Sequence, residues 1–67
     1  MRLQSNVIES IAYDEKNHVL IARFRDTGET VMYDEVPQDI YDSLIFAESI
    51  SGFFRAHIEG RFPRHHH

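Results

Sequence analysis

The chain contains no cysteine, and this absence excludes several structures and chemistries from the start. No disulfide can stabilise the fold, and neither a thiolate metal site nor a cysteine nucleophile can form. Stability is a concern for a chain of 67 residues, because a domain this small buries only about 60% of its unfolded surface. The five Phe and three Tyr predict that a dense aromatic core provides the support, although a partner subunit would also provide it.

Long apolar runs are absent as well. No stretch approaches the roughly 20 apolar residues that span a bilayer, and no charged-then-apolar segment opens the chain. The net charge of −4 gives no long-range attraction to nucleic acid or anionic lipid, so binding either one requires a local basic patch. We therefore expect a soluble, cytoplasmic protein without membrane contact. Residues 1–64 are expected to form one domain, and we interpret His65–His67 as a purification-tag remnant that takes no part in the fold.

The beginning of the chain has the period-two apolar pattern of a β-strand. Residues 7–13 alternate between apolar and polar side chains except at Glu9 and Ser10. One extra residue at that point, as in a β-bulge, would return Ile11 and Tyr13 to the apolar face. The pattern therefore predicts a bulged first strand.

The next two segments alternate more regularly. One face of segment 19–25 is apolar and consists of Leu20, Ala22 and Phe24. The other face is partly charged and consists of Ile21, Arg23 and Arg25. A further strand, 30–33, follows the glycine-containing turn 26–29. Three strands joined by short polar turns predict an antiparallel meander.

Helical signals begin where the sheet pattern ends. Pro37 cannot donate to a strand ladder but suits the first turn of a helix. Residues 37–47 then carry one apolar stripe, formed by Ile40, Leu44 and Ala47. Ser49 or Ser51 can cap a second helix, which Gly60 is expected to end. The predicted fold class is α+β, a three-stranded antiparallel β-meander followed by two α-helices packed on one face.

The order and spacing of these residues resemble the KTSC domain, a short module named for its place at the C-terminus of some lysyl-tRNA synthetases. The resemblance runs from about Ser5 to Phe62, and its motifs are Ile11-Ala12-Tyr13-Asp14, Tyr33, Val36-Pro37, Tyr41, Ala47, Ser49 and Phe53-Phe54. Val31 departs from the Tyr-x-Tyr that is typical of the third strand. The resemblance implies a free-standing bacterial or phage protein, and the synthetase context suggests RNA binding.

Catalytic motifs have simpler structural explanations. Asp26-Thr27-Gly28 is the tripeptide of aspartic proteases, but Arg25 precedes it and the flanking strands favour a hairpin turn. Acidic residues in other predicted turns are expected to form a solvated rim, namely Asp14, Glu15, Asp34 and Glu35. There is no glycine-rich phosphate loop, nucleophile elbow or EF-hand spacing. We predict a protein without catalytic activity, metal or cofactor.

The arginines and tyrosines support a nucleic-acid hypothesis. One arginine pair lies on the outward face of the second strand, and another lies in the C-terminal helix and tail. If the tail folds over the sheet edge, the two pairs would form one positive strip beside rings that can stack on bases. The predicted nucleic-acid-binding residues are Arg23, Arg25, Arg55, Arg61, Tyr33 and Tyr41. The alternative is a mixed-charge surface with internal pairs such as Arg55–Glu59.

Two functions follow, and the sequence does not choose between them. The first is an accessory module that binds single-stranded RNA. The second is a protein-interaction or self-associating module that uses the sheet face with Ile21 and Met32. In either case most of the aromatic residues are expected in the core, from a set comprising Tyr13, Phe24, Tyr33, Phe46, Phe53, Phe54 and Phe62.

Overall fold

The first three strands form the predicted meander. The structure, a computed structural model, describes residues 7–66. The strands are β1 (Ile8–Asp14), β2 (Val19–Phe24) and β3 (Thr30–Tyr33). Each strand pairs antiparallel with the next, so the α+β meander predicted from the alternation is confirmed. The beginning of the family resemblance, Ser5 and Asn6, lies outside the described residues.

The bulge in β1 is also confirmed. The register of the β1–β2 ladder shifts between Ile8 and Ser10. Ile8 and Ile11 are three positions apart and would point to opposite faces of a regular strand. Because of the bulge, both are buried on the same face. The extra residue thus allows β1 to contribute two isoleucines to one core.

Two helices follow the sheet, α1 (Gln38–Ile45) and α2 (Ile50–His57). Pro37 occupies the N-cap position of α1. The Ser49 hydroxyl accepts a hydrogen bond from the backbone N–H of Gly52 at 3.1 Å, which makes Ser49 rather than Ser51 the cap of α2. Helix α2 ends before Gly60, and that glycine has a positive φ of 77° in the turn beyond it. Among the described residues, neither helix is long and apolar enough to cross a membrane.

The structure adds a short fourth strand, β4 (Arg64–His66). It pairs antiparallel with β3, and the strand order is β1-β2-β3-β4. Before the strand begins, the backbone N–H of Asp34 donates to the carbonyl of Pro63 at 2.8 Å. Excluding the histidine tail from the fold was therefore wrong for His65 and His66, while His67 lies outside the described residues. The tag interpretation itself stays a prediction.

The core lies between one face of the sheet and the two helices. The residues that are almost completely buried come from every strand of the meander and from both helical segments: Ile8, Ile11, Leu20, Ala22, Val31, Tyr33, Val36, Leu44, Phe54 and Ile58. Phe54 on α2 connects the layers, because its ring meets Phe24 edge-on at 5.7 Å and Tyr33 at 5.3 Å.

One aromatic residue expected among the core candidates lies elsewhere. Phe46 is 84% exposed. It is the C-cap residue of α1, one position past the last helical turn, and so it falls off the apolar stripe that faces the sheet. The partly buried rings of Tyr13, Phe24, Phe53 and Phe62 do pack against the core.

Candidate functional site

The sheet face opposite the helices carries a short apolar row that crosses the strands. Ala12, Ile21 and Met32 are successive cross-strand partners, and they alternate with the buried positions of their strands. Ala12 is exposed and the other two are partly exposed, while both described helices pack against the other face. We call the surface around this row the open face. It is the surface that the sequence assigned to a protein-interaction function.

An arginine–carboxylate ion pair and a histidine–carboxylate contact flank the row on the open face. The Nε of Arg23 lies 3.5 Å from a carboxylate oxygen of Glu9, and both side chains are well exposed. The Nδ1 of His65 lies 3.3 Å from a carboxylate oxygen of Asp34 on the other side of the row. Arg23 is therefore on the predicted face, but it is already paired with an acid.

The two tyrosines predicted to stack on bases have different environments. Tyr33 has no exposed surface, so the prediction that its ring stacks on a base is wrong. Its position in β3 alternates with Met32, which directs the ring into the helix-covered core. Tyr41 is partly exposed, and one face of its ring stacks on Tyr13 with a centroid distance of 4.8 Å and an angle of 11°.

The hydroxyl of Tyr33 is unusual for a buried polar group. It makes no hydrogen bond with any residue in the described range 7–66. Burial raises the pKa of Tyr33, and the neighbouring Arg64 guanidinium partly offsets that effect. Glu59 also lies close enough to add to the rise in pKa. Arg64 and Glu59 are therefore the charged side chains that act on this hydroxyl.

A groove of about 490 Å³ lies between the β2–β3 turn, α2 and β4. Two arginines and three carboxylates line the groove: Arg55, Arg64, Asp26, Glu29 and Glu59. Its apolar lining residues include Val7, Phe24 and Val31. A neighbouring groove is lined by Arg61 and again by Arg64 and Glu59. We call the first of these the charged groove.

These positions test the idea of one positive strip. The tail does pair with a sheet edge, and it brings Arg64 into the same groove as Arg55 and next to Arg61. Arg23 lies on the open face instead, and Arg25 is exposed at the end of β2, where its backbone N–H donates to Val7. The predicted arginines thus fall into separate groups, with carboxylates between them.

The grouping around the charged groove was not predicted. From the sequence, Glu59 was expected as a helical partner for Arg55, and Asp26 as a turn residue. No local signal could have brought them together with Arg64, because pairing of β4 with β3 creates that contact. No ion pair joins Arg55 to Glu59 within the described residues.

The candidate catalytic motifs act as turns. The backbone N–H of Thr27 donates to the Asp26 carboxylate at 2.9 Å, and Gly28 has a φ of 72°. Asp14 accepts hydrogen bonds from Asn17 and from the backbone of Lys16, and these bonds lower the pKa of the Asp14 carboxyl. Within residues 7–66, no group of three or more His, Asp or Glu side chains is arranged to hold a metal ion.

Comparison with known proteins agrees with the motifs and the fold. The sequence model of the KTSC domain family matches residues 4–62. A protein of Tsukamurella paurometabola is 37% identical over 60 residues, which are 90% of this chain and 88% of that protein. The crystal structure of a KTSC domain protein from Yersinia pestis superposes with a TM-score of 0.95 at 33% identity, and the match covers 100% of this chain and 93% of the other.

Proposed function

This chain belongs to the KTSC domain family, and we propose that it is a non-catalytic module that associates with a second copy of itself through the open face. The observation that supports this proposal is the apolar row of Ala12, Ile21 and Met32 on the sheet face that the described helices leave uncovered. Removing an apolar sheet face of this kind from water lowers the free energy and therefore favours association.

Charge distribution favours a second copy as the occupant. The open face carries the Arg23–Glu9 ion pair on one side of the row and the Asp34 carboxylate on the other. In a twofold interface the same patch of both copies meets, so that residue i of one copy contacts residue j of the other and j contacts i, and only residues near the axis face their own counterparts. A surface with both signs of charge can therefore offer an acid to each base of its partner, whereas a strongly acidic or basic partner would meet repulsion at one side.

The size of the face predicts weak association. The four strands have 7, 6, 4 and 3 residues, and with strands spaced about 4.8 Å apart and rising about 3.3 Å per residue their face covers roughly 300 Å². Two such faces bury roughly 600 Å², which is below the roughly 1,200 Å² of a stable interface. We expect a reversible dimer with a dissociation constant on the order of 0.1–1 mM.

Sedimentation equilibrium over a range of concentrations up to about 2 mM tests the proposal. The apparent mass should rise towards that of a dimer, and Met32→Lys should abolish the rise by placing an unpaired charge in the row. Phe46→Ser is the control, since it removes an exposed ring outside the open face. A chain that stays monomeric throughout refutes the proposal, as does association that survives Met32→Lys but is lost in Phe46→Ser.

A second candidate function is binding of single-stranded RNA. It is favoured by the gathering of Arg55, Arg61 and Arg64 around two adjoining grooves. The carboxylates in the same grooves, Glu59 among them, oppose phosphate binding, so we rank this function second. Tyr41, with one ring face already stacked on Tyr13, is the remaining candidate for base stacking.

Fluorescence anisotropy with a short single-stranded RNA distinguishes the two functions. Contact with three phosphates predicts a log–log slope of affinity against salt of about −2. The double variant Arg55→Gln/Arg61→Gln should weaken binding, and Arg23→Gln should not, because Arg23 is paired on the opposite side of the sheet. No binding at low salt excludes this function and leaves self-association unaffected.

A further inference from the structure

We propose that the charged groove binds a small zwitterion, a free α-amino acid with an apolar side chain. This site is distinct from the open face and does not depend on self-association. Its volume of about 490 Å³ falls within the range typical of small-molecule sites, about 300–1,000 Å³.

The arrangement of charges is the first argument. Arg55 comes from α2 and Arg64 from β4, and both line the same groove. Neither makes an ion pair within the described residues, although three carboxylates line the groove with them. Two guanidinium groups that are not engaged by acids are suited to a ligand carboxylate, which they can bind through several N–H donors. The Glu59 carboxylate can in turn accept hydrogen bonds from a ligand ammonium group.

The apolar part of the groove is the second argument, and it narrows the ligand class. Val7, Phe24 and Val31 contribute apolar surface next to the charged side chains. A nucleotide phosphate or an inorganic anion would use the arginines but would be repelled by the acids. A ligand with a carboxylate, an ammonium group and an aliphatic side chain has a complementary group for each part of the surface.

Titration with L-leucine, followed by the backbone amide signals in two-dimensional NMR, tests the proposal. Signals of residues 26–29, 55–59 and 64 should shift and saturate, with a dissociation constant on the order of millimolar for so few ligand atoms. N-acetyl-L-leucine lacks the ammonium group and L-leucinamide lacks the carboxylate, so each should bind at least about tenfold more weakly. Equal binding of N-acetyl-L-leucine would show an anion site and overturn the zwitterion assignment.

Matched variants locate the site. Arg55→Gln and Glu59→Gln should each reduce leucine affinity by about tenfold or more, as expected for loss of a charged hydrogen-bond partner. Both side chains are exposed, so the fold should survive the changes. Arg23→Gln on the open face is the control and should leave affinity unchanged. No saturating shift with the unmodified chain, or loss of binding in Arg23→Gln alone, overturns the proposal.

Discussion

Replacing Phe54 with alanine removes the ring that joins α2 to two strands. The side chain is 1% exposed and meets the rings of Phe24 and Tyr33 edge-on. Truncation of a buried Phe costs about 3–5 kcal/mol, through lost burial and the cavity left behind. A chain of 67 residues has a total unfolding free energy of about 3–10 kcal/mol, so this one change removes a large part of it.

Urea denaturation followed by far-UV circular dichroism measures the loss. With an m-value of about 1 kcal/mol per molar urea, a cost of about 4 kcal/mol lowers the midpoint by up to roughly 4 M. Phe46→Ala is a matched control because it deletes the same ring from a site that is 84% exposed, and we expect a change within about 0.5 kcal/mol. A cost below about 1 kcal/mol for Phe54→Ala, or equal costs for both variants, would refute this account of the core.

Three further predictions use the same denaturation assay. Ser49→Ala should destabilise the fold by about 0.5–2 kcal/mol because it removes the cap of α2, whereas Ser51→Ala should cost less; equal costs would contradict the assignment of the cap. Tyr13→Phe should cost about 1 kcal/mol, since the Tyr13 hydroxyl donates to the Val36 carbonyl at 2.5 Å, and no loss would show that this bond is unimportant. Tyr33→Phe should cost nothing, or stabilise the fold by up to about 1 kcal/mol, because the hydroxyl is buried without a partner. Since burial raises the pKa of Tyr33, its phenol ionises more readily in the unfolded chain than in the folded one, and the fold therefore loses stability as the pH rises above about 10; Tyr33→Phe removes this loss and should unfold at a higher alkaline pH than the unmodified chain.

Most of the fold was predictable because its signals are local. The alternation in segment 19–25 correctly identified the buried set of Leu20 and Ala22, and the break at Glu9 and Ser10 correctly located a bulge. These features can be predicted because successive side chains of a strand point to opposite faces, so that apolar residues recur at every second position of a strand with one buried face.

The candidate sites were less predictable. Tyr33 has an aromatic ring suited to stacking on a base, but it also occupies a strand position that points into the core. Its side chain is buried there. Phe46 belonged to a group of rings that a small core requires, but it follows the buried Leu44 by two residues, about 200° around a helix, and so points away from the core. In both cases the residue type suggested one role and the position in the element determined another.

The meander of the first three strands, the bulge and the two helices were determined by the sequence itself, since each depends on neighbours within one or two turns of chain. The choice of Ser49 over Ser51 as the cap of α2 was left open by the sequence and decided by the structure. The pairing of β4 with β3, and with it the meeting of Arg64 with Arg55 and Glu59, was decided only by the tertiary structure. The segment Arg64–His66 has no apolar alternation of its own, and it becomes a strand because β3 offers unpaired backbone groups along its outer edge.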